Sequence, residues 1–511
     1  MRRLILVVVS LWVVWAVRAH AILAMPAFVD ESLHIMRAQV VYEFTDEKAS
    51  FLPAKLLLYY YLGLFTPQDH NALWLTRQAL ALMSPLAAAL SFALTYSLTR
   101  SYWKGVFVIW LHGFTPLLIF FDRLAMSDPF VMMFALGLAW ASLLFARHPT
   151  PKRSIITGLL LGLALLAKLT AVPLVLVPPL AVYLLSPASA RQIYIMYFRP
   201  LLMCFSITLL VMLPFAGYML YREIDPPEEK PEVVDSWLFT PENRNRVEQI
   251  GFNIETYNES LRLLIGPLTL VFLLAFAASF MSPRFDQKLY LLLTTGAVWG
   301  FILVVSAFPS TRYLVLGFPF LLIFTAVFLV GYDSSKTHVK LLNLFAGIGL
   351  LAFFVFALHF ISDIWENPTR LSLSKQDEWE YFSHTSSGYG LRDAASDILA
   401  LPTIGGEIPL TGFVGNCHSL RLYFPEKHPV NLNCPYFKFD ESMIPAVMAR
   451  WEQQVAETGE WYFLVEDAGI IDFRSMDVTP EYLASYARPH NGIRVWLYRV
   501  TPGESDAWFI Q

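Results

Sequence analysis

Four short segments of this chain hold charged side chains of the kinds that move protons and hold phosphates. The first is Asp30-Glu31 in MPAFVDESLHIMRAQVVYEF. A carboxylate at a membrane surface can act as base for an incoming hydroxyl or amine. Leu33, Met36, Val40 and Phe44 recur at helical spacing, which predicts an amphipathic helix lying along the membrane interface. Asp30 could also serve as its N-cap, with Glu31 favoured by the helix dipole. His34, one helical turn from Glu31, is expected at the surface, in a supporting place rather than on a metal.

The second segment is FDRLAMSDPF, where Asp128-Pro129 reads as a helix start, cap then proline in the first turn. Arg123 either snorkels to the headgroups or pairs with Asp30, Asp122 or a bound phosphate. The third is Lys168 in GLALLAKLTAVPL, an ammonium that is costly at membrane depth unless it faces a polar cavity or partner. The fourth is Arg312-Tyr313 in SAFPSTRYLVLGFPF, a pair that an interface anchor would also use.

The elements that must position these residues are membrane spans. Of 511 residues, 56% are hydrophobic and 15% charged, whereas soluble chains carry about 25% charged residues. The charges are concentrated between long apolar runs at 4–24, 71–99, 103–120, 128–146, 154–168, 171–186, 200–221, 261–281, 289–307, 313–331 and 340–361. These predict about eleven crossings of a ~30 Å hydrocarbon layer. With the N-terminus cytoplasmic, every short cytoplasmic junction is basic: Arg100 and Lys104; Arg147, Lys152 and Arg153; Arg191 and Arg199; Arg284 and Lys288; Lys336 and Lys340. The runs 154–168 and 171–186 each reach only about 22–24 Å. They predict a short helical hairpin with Lys168 and Thr170 at its recessed outer tip.

This topology predicts a transmembrane domain over 1–361 and an extracytoplasmic α/β domain over 362–511, in a plasma (inner) membrane protein. The loops 25–70 and 222–260 fall outside the cytoplasm, the latter with a Pro-rich acidic stretch at 225–232. In the tail, 392–399 and 446–457 read as helices, and GEIPLTGFVG, HPVNLNC, EWYFLVED and IRVWLYRV as strands. If the first two strands are adjacent and parallel, Cys417 and Cys434 end them on the same edge and could be bridged; Cys204 reads as a small buried hydrophobe.

One acidic pair and three cations are thus expected at a single membrane face. Such a set suits a phosphate ester presented by a lipid: cations hold the phosphate, and a carboxylate deprotonates the acceptor. Nucleotide sugars are cytoplasmic, so sugar transfer outside needs a lipid-linked donor. A multi-span lipid or solute transporter or flippase is the main alternative. It predicts inverted repeats and mid-membrane charges, and the sequence has no evident repeat. The net charge of −4, without a Lys/Arg block, argues against nucleic acid. No Walker A or HExxH segment offers another enzyme class.

The order of FVDESLHI, TRQALALMSPLAAAL, RLAMSDPF, GLLLGLALLAKLTAV and STRYLVLGFPF resembles the C superfamily of glycosyltransferases (GT-C), in the branch of the dolichyl-phosphate-mannose protein mannosyltransferases and the bacterial aminoarabinose transferases. These pieces cover most of 1–331. The resemblance implies a polytopic α-helical membrane enzyme that moves a sugar from a polyprenyl-phosphate donor to a lipid, glycan or protein acceptor, with inversion. By position it implies Asp30 as catalytic carboxylate with Glu31 beside it. Arg123, Lys168 and Arg312 would serve the donor phosphate, with Asp128, Tyr313 and His34 supporting. No cofactor is required; some members bind a divalent metal, although no ligand cluster stands out here. The chain departs from the family in reading KLTAVP at the hairpin. It also lacks a β-trefoil pattern in the tail and a WWDYG signature.

Overall fold

The computed structural model describes residues 1–45, 50–51, 55–224, 244–329, 337–435, 444–466, 473 and 476–503; the acidic stretch 225–232 lies outside them. By internal contacts the chain forms two units. One is Met1–Ala24, Arg37–Thr66 and Thr76–Ser374; the other is Met25–Met36, Pro67–Leu75 and Lys375–Gln511.

The first unit is helical. Among the described residues, five helices are long and apolar enough to cross a membrane: Ser127–Arg147, Arg191–Pro214, Phe285–Val305, Lys340–Glu366 and Asp69–Thr99, whose first residues are counted with the other unit. Two bent pairs raise the number to seven if each is one span: Tyr102–Phe114 with Pro116–Asp122, bent by 62°, and Arg246–Ile265 with Leu268–Ser279, bent by 101°. Each bend has a local cause. Thr115 is extended before Pro116, as the proline ring requires. Gly266, at φ 46°, precedes Pro267. The remaining apolar runs of the sequence fold as Arg2–Ala19, Pro151–Ala167, Leu169–Leu185 and Phe318–Leu329.

The expected hairpin is present. Pro151–Ala167 ends where Lys168 becomes extended, at φ −168° and ψ 133°. A tight turn over Leu169–Leu176 contains Pro173, which cannot continue an α-helix, and Val177–Leu185 leads back. Leu184 and Leu185 line the same cavity as Arg147 and His148, so the return reaches the end from which the hairpin left. Pro151–Ala167 lies tightly on Ala190–Ile224: a Cβ at Gly158 would stand 2.3 Å from the carbonyl oxygen of Cys204.

The second unit is built on a five-stranded sheet of order β2-β1-β3-β5-β4. The strands are β1 (Ile408–Phe413), β2 (Val430–Asn433), β3 (Trp461–Glu466), β4 (Val478–Tyr486) and β5 (Val495–Pro502). β1 runs parallel to β2 and β3, whereas β5 is antiparallel to β3 and β4. β1 is buried along its whole length between β2 and β3, and its one polar side chain, Thr411, accepts from Trp461 Nε1 at 2.9 Å. Leu391–Leu399 packs with Ile408, Leu410 and Leu464. Trp451 and Val455, from Ile444–Thr458, pack with Phe413 and Phe463. β4 is absent from the sequence reading because Pro480 demotes that run. It occupies the sheet edge, where a missing N–H is tolerated. Cys417 and Cys434, just beyond the parallel β1 and β2, form a disulfide with Cα atoms 5.7 Å apart.

Candidate functional site

In the helical unit, the chain break at Lys168 frees its side chain from the helix and turns it to the start of Ser127–Arg147. Lys168 Nζ meets Asp128 Oδ1 at 2.5 Å, and both side chains are buried. Asp128 is not the cap that its sequence suggests. The helix starts at Ser127 after an extended Met126, which leaves Asp128 inside the first turn. A buried ammonium needs a counter-charge more than the helix needs a side-chain cap. Asp128 Oδ2 has no hydrogen-bond partner among the described residues. Lys168 Nζ also stands 4.8 Å from the centre of the Tyr313 ring, and Arg312 Cζ 5.6 Å from the same ring. Both arrangements are cation–π contacts. Arg312 and Tyr313 belong to a tight helical turn, Thr311–Leu316, that is buried throughout. Four residues expected at the site therefore form one cluster: Asp128, Lys168, Arg312 and Tyr313.

Arg123 does something else. Its Nη1 donates to the carbonyls of Val17, Arg18 and His20, and its Nη2 to that of Ala21. It closes the C-terminal end of Arg2–Ala19, the end a cation stabilises. It neither snorkels nor pairs with Asp122. Asp122 instead takes Arg18 Nε at 3.0 Å and the Ser84 hydroxyl, with both charged side chains fully buried. Sequence reading missed this pair, although Arg18, a lone charge inside an apolar run, is itself a signal that a partner is needed.

The segment with the acidic pair belongs to the other unit. The helix Val29–Val40 starts one residue before Asp30, so Asp30 is not its N-cap. Glu31 closes the start: its Oε2 accepts from the Phe28 N–H at 2.9 Å. This is the backbone-facing half of a capping box. Glu31 is wholly buried, and Asp30 half-buried. His34 is 1% exposed, not a surface residue. The expected interface helix with one wet face is also corrected: no residue of Val29–Val40 is exposed. Glu31, Ser32, His34, Ile35 and Ala38 are deepest, in place of the Leu33, Met36 and Val40 stripe. The cause is packing on two sides, since Ala27 and Ile35 share a core with Ala72, Leu73 and Leu422.

Five contacts tie this segment to its own unit, and Asn416 is itself held on Ser386. Ala27 N donates to Tyr423 Oη at 2.7 Å, and Val29 N to the Ser386 carbonyl at 3.0 Å. Asn416 Nδ2 donates to the carbonyls of Ala27 at 2.8 Å and Ser386 at 3.3 Å, while Asn416 Oδ1 accepts from Ser32 Oγ at 3.0 Å. Phe28 packs on Tyr381 with ring centres 4.7 Å apart. Gly388 must be glycine here, because a Cβ would stand 2.3 Å from the Ala27 carbonyl oxygen. The loop presenting Asn416 is itself held: Gly415 N donates to Glu466 Oε2 at 3.2 Å, and Arg488 pairs with Glu466 Oε1. Burial pushes the Glu466 carboxyl above its ordinary pKa, against the opposing pull of Arg488 and of the Gly415 N–H. None of these clamps was legible from the sequence. Among the described residues, no group of three or more His, Cys, Asp or Glu side chains is arranged to hold a metal ion.

Solved structures share this architecture over nearly its full length. ArnT from Cupriavidus metallidurans bound to undecaprenyl phosphate superposes with a TM-score of 0.62 at 14% identity, covering 97% of each chain. The fold is GT-C. The same enzyme in the apo state matches at 0.61 and 14% identity, again over 97% of each chain. The Archaeoglobus fulgidus oligosaccharyltransferase in complex with Zn and sulfate matches at 0.50 and 12% identity, over 90% of this chain and 68% of that one. Neither a family model nor a curated protein matches the sequence. The architecture is therefore that of a helical membrane protein with a small C-terminal sheet, in the fold that the ArnT structures share.

Proposed function

We propose that this protein is an integral membrane glycosyltransferase that transfers a sugar from a polyprenyl-phosphate donor to an acceptor on the extracytoplasmic side of the inner membrane. Its N-terminus would be cytoplasmic and about eleven helices would cross the bilayer. The observation that carries the reading is the buried Asp128–Lys168–Tyr313–Arg312 cluster. It lies in a fold whose matched ArnT structure is bound to undecaprenyl phosphate.

In this mechanism Lys168 and Arg312 hold the donor phosphate, Asp128 sets the Lys168 ammonium and Tyr313 spaces the two cations. Arg123 orders the end of Arg2–Ala19. Asp30 takes the proton from the acceptor O–H or N–H, and Glu31 fixes the helix start that presents it. The acceptor atom bonds to the anomeric carbon from the face opposite the phosphate, so configuration inverts. The bond from that carbon to the phosphate oxygen breaks, and polyprenyl phosphate leaves with a second negative charge. That charge develops only as the bond breaks, so cations placed for it favour the transition state over the bound donor.

The test is transfer from a panel of polyprenyl-phosphate sugars in membranes containing the wild-type protein. Product formed from at least one such donor, with the lipid phosphate released in equal amount, supports the reading. Absence of transfer from every donor, by protein shown to be folded, overturns it.

A further inference from the structure

We propose that a second site, at the other end of Ser127–Arg147, binds the headgroup of an ethanolamine phospholipid. Asp128 and Arg147 are 19 residues apart in one helix, or about 28 Å at 1.5 Å per residue. That is close to the ~30 Å hydrocarbon thickness. Arg147 therefore lies at headgroup depth in the leaflet opposite the Asp128–Lys168 pair. A cavity of about 400 Å³ opens there, lined by Arg147, Arg284, Asp286 and Gln287 beside Leu143 and Leu184.

The lining carries both signs of charge. Arg147 holds the Ser97 carbonyl through Nη2 at 2.7 Å, and the rest of its five-donor fork suits a phosphate diester, as does Arg284. Arg100 and Lys104 stand within electrostatic reach of Arg147 and Arg284 respectively, which strengthens the field on an anion. Asp286 makes no ion pair among the described residues. Gln287 donates to the Leu98 carbonyl at 3.1 Å, while its Oε1 is buried without a partner. A carboxylate and an unfilled amide acceptor together ask for a cation that can donate hydrogen bonds. The primary ammonium of ethanolamine does so, a quaternary choline does not, and glycerol carries no charge. Basic pockets between transmembrane helices are known lipid-headgroup sites; the carboxylate and amide here select among headgroups. Helix-dipole preference explains a basic residue at a C-terminus and an acidic one at an N-terminus, but not the cavity between them.

The experiment uses the full-length protein, purified and delipidated in detergent. It measures binding of phosphatidylethanolamine, phosphatidylcholine, phosphatidylglycerol and soluble glycerophosphoethanolamine by native mass spectrometry and by the shift in Tm. Phosphatidylethanolamine is expected to bind about tenfold or more tighter than the other two lipids. Arg284→Gln should weaken all three lipids, and Asp286→Asn and Gln287→Leu should each erase the preference for ethanolamine; Asp286→Asn should leave the lipid-free Tm unchanged. Equal binding of the ethanolamine and choline lipids, or tighter binding of phosphatidylglycerol, overturns the assignment. So does binding of glycerophosphoethanolamine without the lipid. Retention of the preference in both Asp286→Asn and Gln287→Leu overturns it as well.

Discussion

The side-chain amide of Asn416 donates to the carbonyl of Ala27 at 2.8 Å, three residues before Asp30. Its other end accepts from Ser32 at 3.0 Å, two residues after Asp30. One amide therefore brackets the carboxylate proposed as base, and the Glu466–Gly415 contact fixes the loop that carries the amide. Buried amides with every bond made rigidify what they hold. Asn416→Ala strands the Ala27 carbonyl, while the Ser386 carbonyl keeps the Val29 N–H; turnover should fall about tenfold or more, in line with ~1–3 kcal/mol per lost buried bond. The donor KM should change little, because Asn416 stands in the unit that lacks Lys168 and Arg312. Asn416→Asp should be worse than Ala, since an oxygen would face two carbonyl oxygens. Steady-state kinetics of the two variants checks the order; wild-type turnover in Asn416→Asp contradicts it.

Lys168 and Asp128 are expected to separate stability from activity. Lys168→Met leaves a buried carboxylate without its cation, and breaking such a pair costs about 3–5 kcal/mol. Adding Asp128→Leu to Lys168→Met should recover much of the thermal stability, because the uncompensated charge is gone. Transfer activity should stay down by about 100-fold or more in both, as loss of one preorganised charge contact to the transition state implies. Thermal unfolding beside transfer assays decides the point, and recovery of activity in the double variant would count against Lys168 as a phosphate ligand.

The chain has three cysteines, and Cys417 is bridged to Cys434. Unreduced, denatured protein should show a single free thiol, that of Cys204. Reduction should raise the number to three and loosen the β1–β2 edge, at a cost of roughly 3 kcal/mol for a loop of this size in the chain-entropy account. Three free thiols before reduction would remove the bridge.

The Asn416 loop should also respond to pH. Burial, and then the charge of Arg421, lower the pKa of His418; burial, and then Arg488, lower that of His384. The folded protein thus binds these protons less tightly than the unfolded chain, whose histidines titrate near ~6.5. The stabilising contribution is complete above that pH and is lost as the pH falls below it. Glu466, with its raised pKa, acts in the opposite sense, so a comparison with variants isolates the histidines. Amides of residues 408–433, corrected for intrinsic exchange, should open more readily at pH 5.5 than at 7.5. A His384→Gln/His418→Gln double variant should flatten that difference. An identical pH response in the variant contradicts the assignment.

Legibility in the sequence followed the kind of force involved. Apolar runs and basic junctions report on the bilayer, so the helices and the hairpin break at Lys168 could be read directly. Lys168 stood out because a charge at membrane depth needs a reason, whereas Asp128 read as a helix cap and Arg312-Tyr313 as an interface anchor until the resemblance joined them to it. The β1 and β2 strands were legible, but their parallel pairing entered only as the condition under which Cys417 and Cys434 could be bridged. What escaped reading depended on packing between distant segments. Asn416 lies 389 positions from the Ala27 carbonyl it binds. Arg18 lies 104 positions from Asp122. His34 is polar, and its burial at 1% exposure follows from tertiary packing that its sequence does not show. Arg123 was recognised as unusual, but four backbone carbonyls are invisible as partners in a sequence.

Asp30 carries the central claim, and Asn is its sharpest replacement. The position lies inside the helix start rather than at the cap, so Asp30→Asn keeps size and polarity while removing the base. Transfer from the preferred polyprenyl-phosphate sugar should fall by about 100-fold or more, the scale of general-base catalysis. Donor binding and Tm should stay at wild-type values. Undiminished turnover in folded Asp30→Asn would contradict the account.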